Sequence, residues 1–342
     1  MSISLDSLPP TLYGHKHCEE AFRTAYDSGH MHHAWLLHGE EGIGKTCLAY
    51  KIAAFVLGAN RDAAPYLADI DKNNPVIKRM HGGSHPHFLL ITGDKTRRNK
   101  ASSPITIDAI RAIHEFLSVK PSAHAMNVVL LDNFRDVVLQ ASHALLKILE
   151  EPPSRSLFLI TTEHASLVPA TIRSRCRLAR LSPLSQEAFS SYLTAHHKNI
   201  TQDHEDLYHL SAGAPGRLHH WLSPKALSLY QELKPLMTSI TQSSFDHMSL
   251  TRYLHHMEKL MLSDAQEDSM SLWRLFWDYV FYWLHDTMTH SHPFEKKALF
   301  TLWDELLTLR QQGTALHLAP SQIIVTAFSY IHTAWTTDKG QT

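Results

Sequence analysis

The chain has 342 residues, of which 44% are hydrophobic and 19% charged, and its formal net charge is −1. This length suggests two or three domains, and the composition is that of a globular protein with a substantial core. The charge balance excludes a strongly basic surface over the whole protein. Any contact with nucleic acid must therefore come from a local patch or through a partner.

Cysteine and histidine usage bears on the compartment and on metal binding. The three cysteines, Cys18, Cys47 and Cys176, lie far apart, which fits neither a disulfide framework nor a zinc ribbon and favours a reducing cytoplasm. The N-terminus lacks the pattern of a signal peptide, and no apolar run approaches the ~20 residues that span a membrane. We interpret the 27 histidines as surface residues rather than as a metal cluster.

The first half of the chain alternates between helical and strand patterns. Helices are predicted over 16–28, 45–57, 107–119 and 141–149, and strands over 35–38, 87–92, 128–131 and 157–161. Because such alternation is typical of parallel sheets, we predict an α/β layer here. The polar segment 93–104 predicts a loop, whose basic residues either are solvated or contact a phosphate backbone. These residues are Lys95, Arg97, Arg98 and Lys100.

Beyond about residue 182 the strand patterns end and the chain is predicted to be all-α. Residues 184–240 indicate short helices with a turn at 213–216, and from about 245 onward the helices are rich in aromatic residues. One predicted helix face carries Trp273, Phe276, Trp277, Val280 and Leu284. Such a stripe is typical of a helical-bundle core, part of which could face another subunit.

The stretch GEEGIGKT, residues 39–46, lies between a predicted strand and a predicted helix. In this context the pattern G-x-x-x-x-G-K-[ST] holds nucleotide phosphates. The glycines Gly39, Gly42 and Gly44 let backbone N–H groups point at phosphate oxygens, and the helix start adds the positive end of its dipole. Lys45 can reach the β- and γ-phosphates, and the Thr46 hydroxyl can ligate Mg²⁺. The stretch predicts a site for ATP and Mg²⁺.

The third predicted strand is followed by a second part of such a site. Asp132 can hold Mg²⁺ through water, although it could also cap a turn. Many ATPases place a glutamate next, which polarises the attacking water. Asn133 stands there instead and cannot accept a proton, and the nearest acid downstream, Asp136, is about one helical turn away. We therefore predict that the chain binds ATP and hydrolyses it weakly or not at all on its own.

Four strings carry a family resemblance: GHKHCEEAF (14–22), HHAWLLHGEEGIGKT (32–46), LLKILEEPP (145–153) and ATIRSRCRL (170–178). Together they closely resemble the delta-prime subunits of the bacterial DNA polymerase III clamp loader, a family of AAA+ proteins. The resemblance covers most of the chain before the GAPGR segment at 213–217. It implies an AAA+ core over 1–182, a small helical lid over 183–242 and a helical collar domain over 243–342.

The resemblance also implies partners. Family members join delta and gamma/tau subunits in a hetero-pentamer, which opens the sliding clamp and places it on primed DNA; no membrane is involved. The chain would then be part of the polymerase holoenzyme without being the polymerase. Two alternatives stay open: a nucleotide-free stator of the same complex, and an unrelated P-loop ATPase or kinase, in which the SRC motif would serve no purpose.

Several residues inherit roles from the resemblance alone. Arg175 of the SRC motif would act as an arginine finger on ATP in the adjacent subunit; the alternative is a structural arginine that caps a helix or pairs with an acid. Thr162 matches the sensor of the γ-phosphate, and Arg217 matches the lid residue that leans on the nucleotide. Tyr13 and Gly14 lie where the adenine pocket begins.

Two departures from the family pattern matter. Glu40 stands where a proline is usual in the phosphate loop, and a carboxylate that pointed inward would weaken phosphate binding. Many members carry four cysteines that form a zinc module, but residues 58–84 contain none. We therefore predict no zinc site, and Mg²⁺ alone at Thr46 and Asp132.

Overall fold

The computed structural model describes residues 12–59, 67, 71, 73–93, 104–119, 121, 125–197, 204–241, 247–262, 266–290, 293–316 and 319–338. The four basic residues of the predicted loop 93–104 lie outside these ranges. The chain forms two compact units, one of Met1–Tyr208 with Ala212–Arg217 and one of His209–Ser211 with Leu218–Thr342. The predicted division at 182 and 242 stays a prediction.

A five-stranded parallel sheet organises the first unit. Its strands are β1 (Ala34–His38), β2 (Phe88–Thr92), β3 (Asn127–Asp132), β4 (Ser156–Thr162) and β5 (Arg177–Arg180). They stand in the order β2-β3-β4-β1-β5, and every neighbouring pair is parallel. Since parallel strands need crossover connections, helices fill the intervals between most of them. The parallel sheet and its helices confirm the predicted α/β class.

Helices cover both faces of this sheet. In chain order the helices up to residue 221 are α1 (Lys16–Asp27), α2 (Lys45–Val56), α3 (Pro75–His81), α4 (Ile107–Ser118), α5 (Leu139–Glu150), α6 (Ala170–Arg173), α7 (Gln186–His196), α8 (His204–Leu210) and α9 (Pro215–Trp221). Successive strand side chains point to opposite faces. Leu37 and Leu130 therefore pack with α1 and α2, whereas Leu36 and Leu131 pack with α4 and α5.

The elements of the first unit that were not predicted include strand β5, helix α3 and the short helix α6. The edge strand β5 buries only Ala179 and exposes its other residues, so it lacks an apolar pattern. Helix α3 does carry start signals that the sequence reading overlooked. The Asn74 side chain accepts a hydrogen bond from Val76 N, and Pro75 occupies the first turn, which are common features of a helix N-terminus.

The second unit is helical throughout its described part. Its long helices are α10 (Pro224–Thr241), α11 (His247–Leu262), α12 (Gln266–His290), α13 (Pro293–Leu316) and α14 (Pro320–Asp338). The predicted stripe lies on α12, where Phe276, Trp277, Val280 and Leu284 are buried and Trp273 packs against them. This confirms the all-α class of the C-terminal part. Among the described helices, none is long and apolar enough to cross a membrane.

Candidate nucleotide-binding site

The predicted phosphate loop joins the end of β1 to the start of α2. Gly39 N donates hydrogen bonds to the carbonyls of Thr162 and Glu163, at 3.3 and 3.0 Å, so the loop begins beside the end of β4. A Cβ at Gly39, whose φ is +153°, would lie 2.4 Å from the Leu181 carbonyl oxygen. This approach requires glycine.

Helix α2 begins at the end of the phosphate loop. Its N-cap, Gly44, has a left-handed conformation, and no side chain in the described part of the chain caps the helix. The first N–H groups of a helix lack intrahelical partners and carry the positive end of the dipole. This terminus therefore suits an anion.

Oxygen atoms that suit Mg²⁺ meet next to this terminus. Thr46 Oγ1 donates a 2.7 Å hydrogen bond to Asp132 Oδ1, and Thr161 Oγ1 donates to the same oxygen, also at 2.7 Å. Asn133 N in turn donates to Thr161 Oγ1 at 2.8 Å. Mg²⁺ prefers hard oxygen ligands of this kind. It is usually bound by a few protein oxygens together with substrate phosphates. The two predicted metal residues, Thr46 and Asp132, are thus brought together.

Of the two threonines that end β4, the one beside Asp132 is Thr161. Thr162 is fully buried, and its hydroxyl donates to the His164 carbonyl at 3.2 Å. Sequence reasoning singled out Thr162 and missed Thr161. Because neighbouring strand residues face opposite sides, only one of the pair can face Asp132, and the resemblance alone did not decide which. The sensor role of Thr162 stays a prediction.

The Lys45 ammonium is hydrogen-bonded to backbone carbonyls of the phosphate loop. Its Nζ donates hydrogen bonds to the carbonyls of Gly39 and Glu40, both at 2.7 Å. Burial lowers the pKa of the Lys45 ammonium, and nearby carboxylates, that of Glu163 foremost and then that of Asp132, act in the opposite direction. The cation is therefore surrounded by acceptors at the position where the motif places phosphate oxygens.

Asn133, the residue after Asp132, cannot act as a general base. Asn133 has a left-handed backbone with φ of 69°, and its Nδ2 donates to Asp136 Oδ2 at 3.0 Å. The nearest acid downstream therefore accepts a hydrogen bond from the amide. Neither group replaces the glutamate that polarises water in many ATPases.

The GAPGR turn lies on the phosphate loop within the first unit. Gly216 N donates to the Gly42 carbonyl at 2.8 Å, and Arg217 Nη1 lies 3.4 Å from Glu40 Oε2. The Glu40 carboxylate is thus turned toward Arg217, and its side chain stays 51% exposed. Arg217 Nε is buried and has no hydrogen-bond partner among the described residues. An unpaired buried N–H is costly, so this atom fits a residue that binds an anion.

The predicted start of the adenine pocket contacts α7 and the loop. The Tyr13 ring packs edge-on against Tyr192 and His196, with centroids 5.3 and 5.5 Å apart, while Gly14 approaches the Leu184 side chain. His15, which sequence reasoning did not select, is buried, and its Nε2 lies 2.8 Å from the Ile43 carbonyl. Since a carbonyl only accepts, Nε2 carries the proton.

Arg175 is directed elsewhere. Its Nη2 forms a 2.8 Å ion pair with Glu150 Oε1 at the end of α5, and its Nη1 donates to the Thr171 carbonyl on α6 at 2.8 Å. Its partners therefore lie on these two helices rather than in the phosphate loop. The arginine is paired with an acid, as in the structural alternative, yet its side chain is 36% exposed.

Within the described residues no group of three or more His, Cys, Asp and Glu side chains could hold a metal ion. None of the three cysteines forms a disulfide, and burial raises the pKa of the Cys18 thiol to about 11 and that of Cys176 to about 12. Cys18 and Cys176 are thus poor thiolate ligands at neutral pH. The absence of a zinc module stays a prediction.

Comparison with known proteins relates the chain to replication subunits. The family described as "DNA polymerase III, delta subunit" matches residues 14–185. The chain is 27% identical to DNA polymerase III subunit delta' of Escherichia coli (strain K12) over 215 residues, which cover 62% of this chain and 58% of that protein. It is 31% identical to the delta' subunit of Pseudomonas aeruginosa over 192 residues, 55% of this chain and 56% of that one.

Gamma subunits match over a similar region. The chain is 31% identical to DNA polymerase III subunit gamma of Buchnera aphidicola from Schizaphis graminum over 182 residues, 53% of this chain and 47% of that one. It therefore spans about half the length of the curated relatives it matches. A solved DNA polymerase III, gamma subunit-related protein from Thermotoga maritima aligns over 89% of this chain and 94% of its own, with a TM-score of 0.40 and 17% identity.

The family match covers half of the chain and includes the phosphate loop, Asp132, both threonines of β4 and the SRC motif. The relatives that overlap it are delta' and gamma subunits. The chain therefore belongs to the DNA polymerase III delta-subunit family.

Proposed function

We propose that this chain acts as the delta-prime subunit of a cytoplasmic clamp loader, binding Mg-ATP in its own loop and supplying Arg175 to a neighbouring subunit. It would work with delta and gamma/tau subunits in a hetero-pentamer that loads the sliding clamp onto primed DNA. The single observation that carries ATP binding is the oxygen of Asp132 shared by the hydroxyls of Thr46 and Thr161. A carboxylate so placed beside an uncapped helix terminus is suited to Mg-ATP.

Different residues of the site bind different parts of ATP. The first N–H groups of α2 donate to phosphate oxygens, and Lys45 exchanges the carbonyls of Gly39 and Glu40 for them. Arg217 has a buried Nε that still needs an acceptor. Thr46 and Asp132 hold Mg²⁺, which, when bound, neutralises phosphate charge. Tyr13 and Gly14 border the base.

Hydrolysis at this site is expected to be weak. Asn133 cannot take a proton, and its side chain is hydrogen-bonded to Asp136. The water that attacks the γ-phosphate would therefore lack a positioned base. This subunit would then hold ATP, while Arg175 stabilises the charge that develops on ATP of its neighbour.

A nucleotide-free stator is the second candidate, and specific contacts favour it. Lys45 is satisfied by two loop carbonyls. The Gly216–Gly42 hydrogen bond and the Arg217–Glu40 pair also join the GAPGR turn to the loop. All of these contacts would have to change for phosphate to enter. A chain that kept these contacts in the presence of ATP would not bind the nucleotide. It would serve the complex only through Arg175.

Equilibrium binding of a fluorescent ATP analogue with Mg²⁺ separates the two candidates. We expect saturable binding to the wild-type chain that Lys45→Ala abolishes, with Lys78→Ala, on the exposed face of α3, as the matched control. Absence of binding to the wild type would reject the ATP-holding role and favour the stator. A chain that stays monomeric when mixed with the other loader subunits and the clamp would contradict the delta-prime role itself.

A further inference from the structure

Arg175 joins the two most distinctive motifs of the sequence. Its Nη2 pairs at 2.8 Å with Oε1 of Glu150, the first glutamate of LLKILEEPP, and its Nη1 donates at 2.8 Å to the Thr171 carbonyl within ATIRSRC. A weaker contact at 3.4 Å joins Nη1 to Ser174 Oγ. The guanidinium is thus held from two helices at once. It carries more N–H groups than these contacts use, so donors remain for phosphate oxygens.

Both anchors have well-fixed backbones. Glu150 is the last residue of α5, directly after the buried Leu149, and Pro152 and Pro153 prevent the helix from continuing. Arg175 follows the short helix α6, whose Ile172 is buried, and Arg175 N donates to the Ile172 carbonyl at 3.0 Å. With both backbones fixed, the long arginine side chain is the flexible part that a contact can still order. The ion pair constrains it.

The position of Glu150 is electrostatically unfavourable without a cation. Carboxylates at a helix C-terminus face the negative end of the helix dipole, whereas cations there are stabilised. Glu150 and Glu151 both occupy this end of α5. Lys147 lies in the last turn of α5, and Arg175, paired with Glu150 at 2.8 Å, adds positive charge there. The acid and the arginine therefore hold each other in place.

We propose that Glu150 is the positioning residue that orients Arg175 toward the ATP of the neighbouring subunit. An arginine with a third of its surface exposed samples many rotamers, and a finger must select one before it can stabilise the departing phosphate. Glu150 makes that selection in advance through a charge-assisted hydrogen bond. The inference rests on the proposed role of Arg175 as a finger in trans.

The pair should matter to catalysis far more than to folding. The side chains of Arg175 and Glu150 are 36% and 41% exposed, and ion pairs in such surroundings contribute little to stability. Variants of Glu150 should therefore fold normally. Their effect on the ATPase of the assembled loader can then be interpreted.

The test measures kcat and KM for ATP of the loader reconstituted with this full-length chain, together with the midpoint of thermal unfolding of the chain. Glu150→Gln keeps the shape and removes the charge, Glu150→Asp keeps the charge and shortens the side chain, and Glu151→Gln is the matched control at the same helix end. We expect Glu150→Gln to lower kcat roughly threefold to tenfold with KM unchanged. Glu150→Asp should recover part of this loss, and Glu151→Gln should match the wild type.

Arg175→Ala and the double variant make the outcomes distinguishable. We expect Arg175→Ala to lower kcat further and the added Glu150→Gln to have no effect on that background, since residues that act as a unit are not additive. If Arg175→Ala lowers kcat but Glu150→Gln does not, the positioning role is wrong and the finger stands. A rise in kcat for Glu150→Gln, or an unfolding midpoint well below that of Glu151→Gln, would also reject it. Full activity of Arg175→Ala would reject the finger and, with it, the role of Glu150.

Discussion

The hydroxyl of Thr161 donates a 2.7 Å hydrogen bond to Oδ1 of Asp132, the same oxygen that accepts from Thr46. Thr161 also accepts from the backbone N–H of Asn133 at 2.8 Å. It therefore fixes both the carboxylate and the turn that follows β3. An acid oriented in advance in this way needs little reorganisation to hold a cation through water.

The two threonines of β4 should differ in their effect on Mg²⁺. Thr161→Val leaves the shape but removes a donor to a charged acceptor, and such bonds are worth roughly 1.5–3 kcal/mol. We expect the gain in ATP-analogue affinity on adding Mg²⁺ to fall about tenfold. Thr162→Val, which removes a hydroxyl that donates to the His164 carbonyl, should retain that gain. The measurement is analogue affinity with Mg²⁺ and with EDTA, and the reverse ranking would restore Thr162 as the sensor.

The sequence revealed those parts of the fold and site that have a local pattern. Four strands are continuous apolar runs, and the spacing of residues 39–46 requires a loop whose glycines adopt positive φ. The same spacing put Lys45 and Thr46 at a helix start, where they lie.

Contacts between distant parts of the chain had no such signal. The Glu40–Arg217 pair joins residues 177 positions apart, and the Glu150–Arg175 pair depends on how α5 and α6 pack. The edge strand β5 was missed for a related reason, because its hydrogen bonds to β1 and not an apolar pattern make it a strand.

Glu40 should oppose nucleotide binding by repelling phosphate and by occupying Arg217. Glu40→Gln is expected to raise the affinity for the ATP analogue within about fivefold, because exposed ion pairs are worth roughly 0.2–1 kcal/mol. In an Arg217→Ala background the gain should shrink, since only the repulsion remains to be relieved. Glu41→Gln removes an adjacent loop carboxylate and serves as the control. An equal gain with and without Arg217 would show that the pair at 3.4 Å does not restrain the arginine.

Gly42 is needed for close approach as well as for its backbone conformation. With φ of +80°, a Cβ there would lie 2.7 Å from Arg217 N, whereas Gly29, at φ of +72°, has nothing within 4 Å. Both alanine variants should lose about 1–2 kcal/mol from the left-handed conformation. Gly42→Ala should lose about 1–3 kcal/mol more, because the backbone at 216–217 must move. Urea unfolding of the two variants measures the difference in the free energy of unfolding. Equal losses would mean that the backbone at 216–217 moves without a measurable cost.

Buried and half-buried histidines should make the protein less stable in mild acid. Burial lowers the pKa of His15, and it does the same for His33, His38 and His85. A base whose pKa is lower in the folded state binds fewer protons there than in the unfolded chain. Its contribution to the free energy of unfolding is therefore complete above the unfolded value of about 6.5 and is lost as the pH falls below it.

The His15→Gln variant tests the histidine that contacts the phosphate loop. Glutamine can still donate to the Ile43 carbonyl, which lies 2.8 Å from His15 Nε2, but it cannot become charged. One such group changes the free energy of unfolding by at most about 1.4 kcal/mol per pH unit. We therefore expect the urea midpoint of His15→Gln to fall less steeply than that of the wild type between about pH 7 and about pH 5. His30→Gln, at an exposed position, should follow the wild type. Parallel curves for all three proteins would mean that His15 does not couple the phosphate loop to pH.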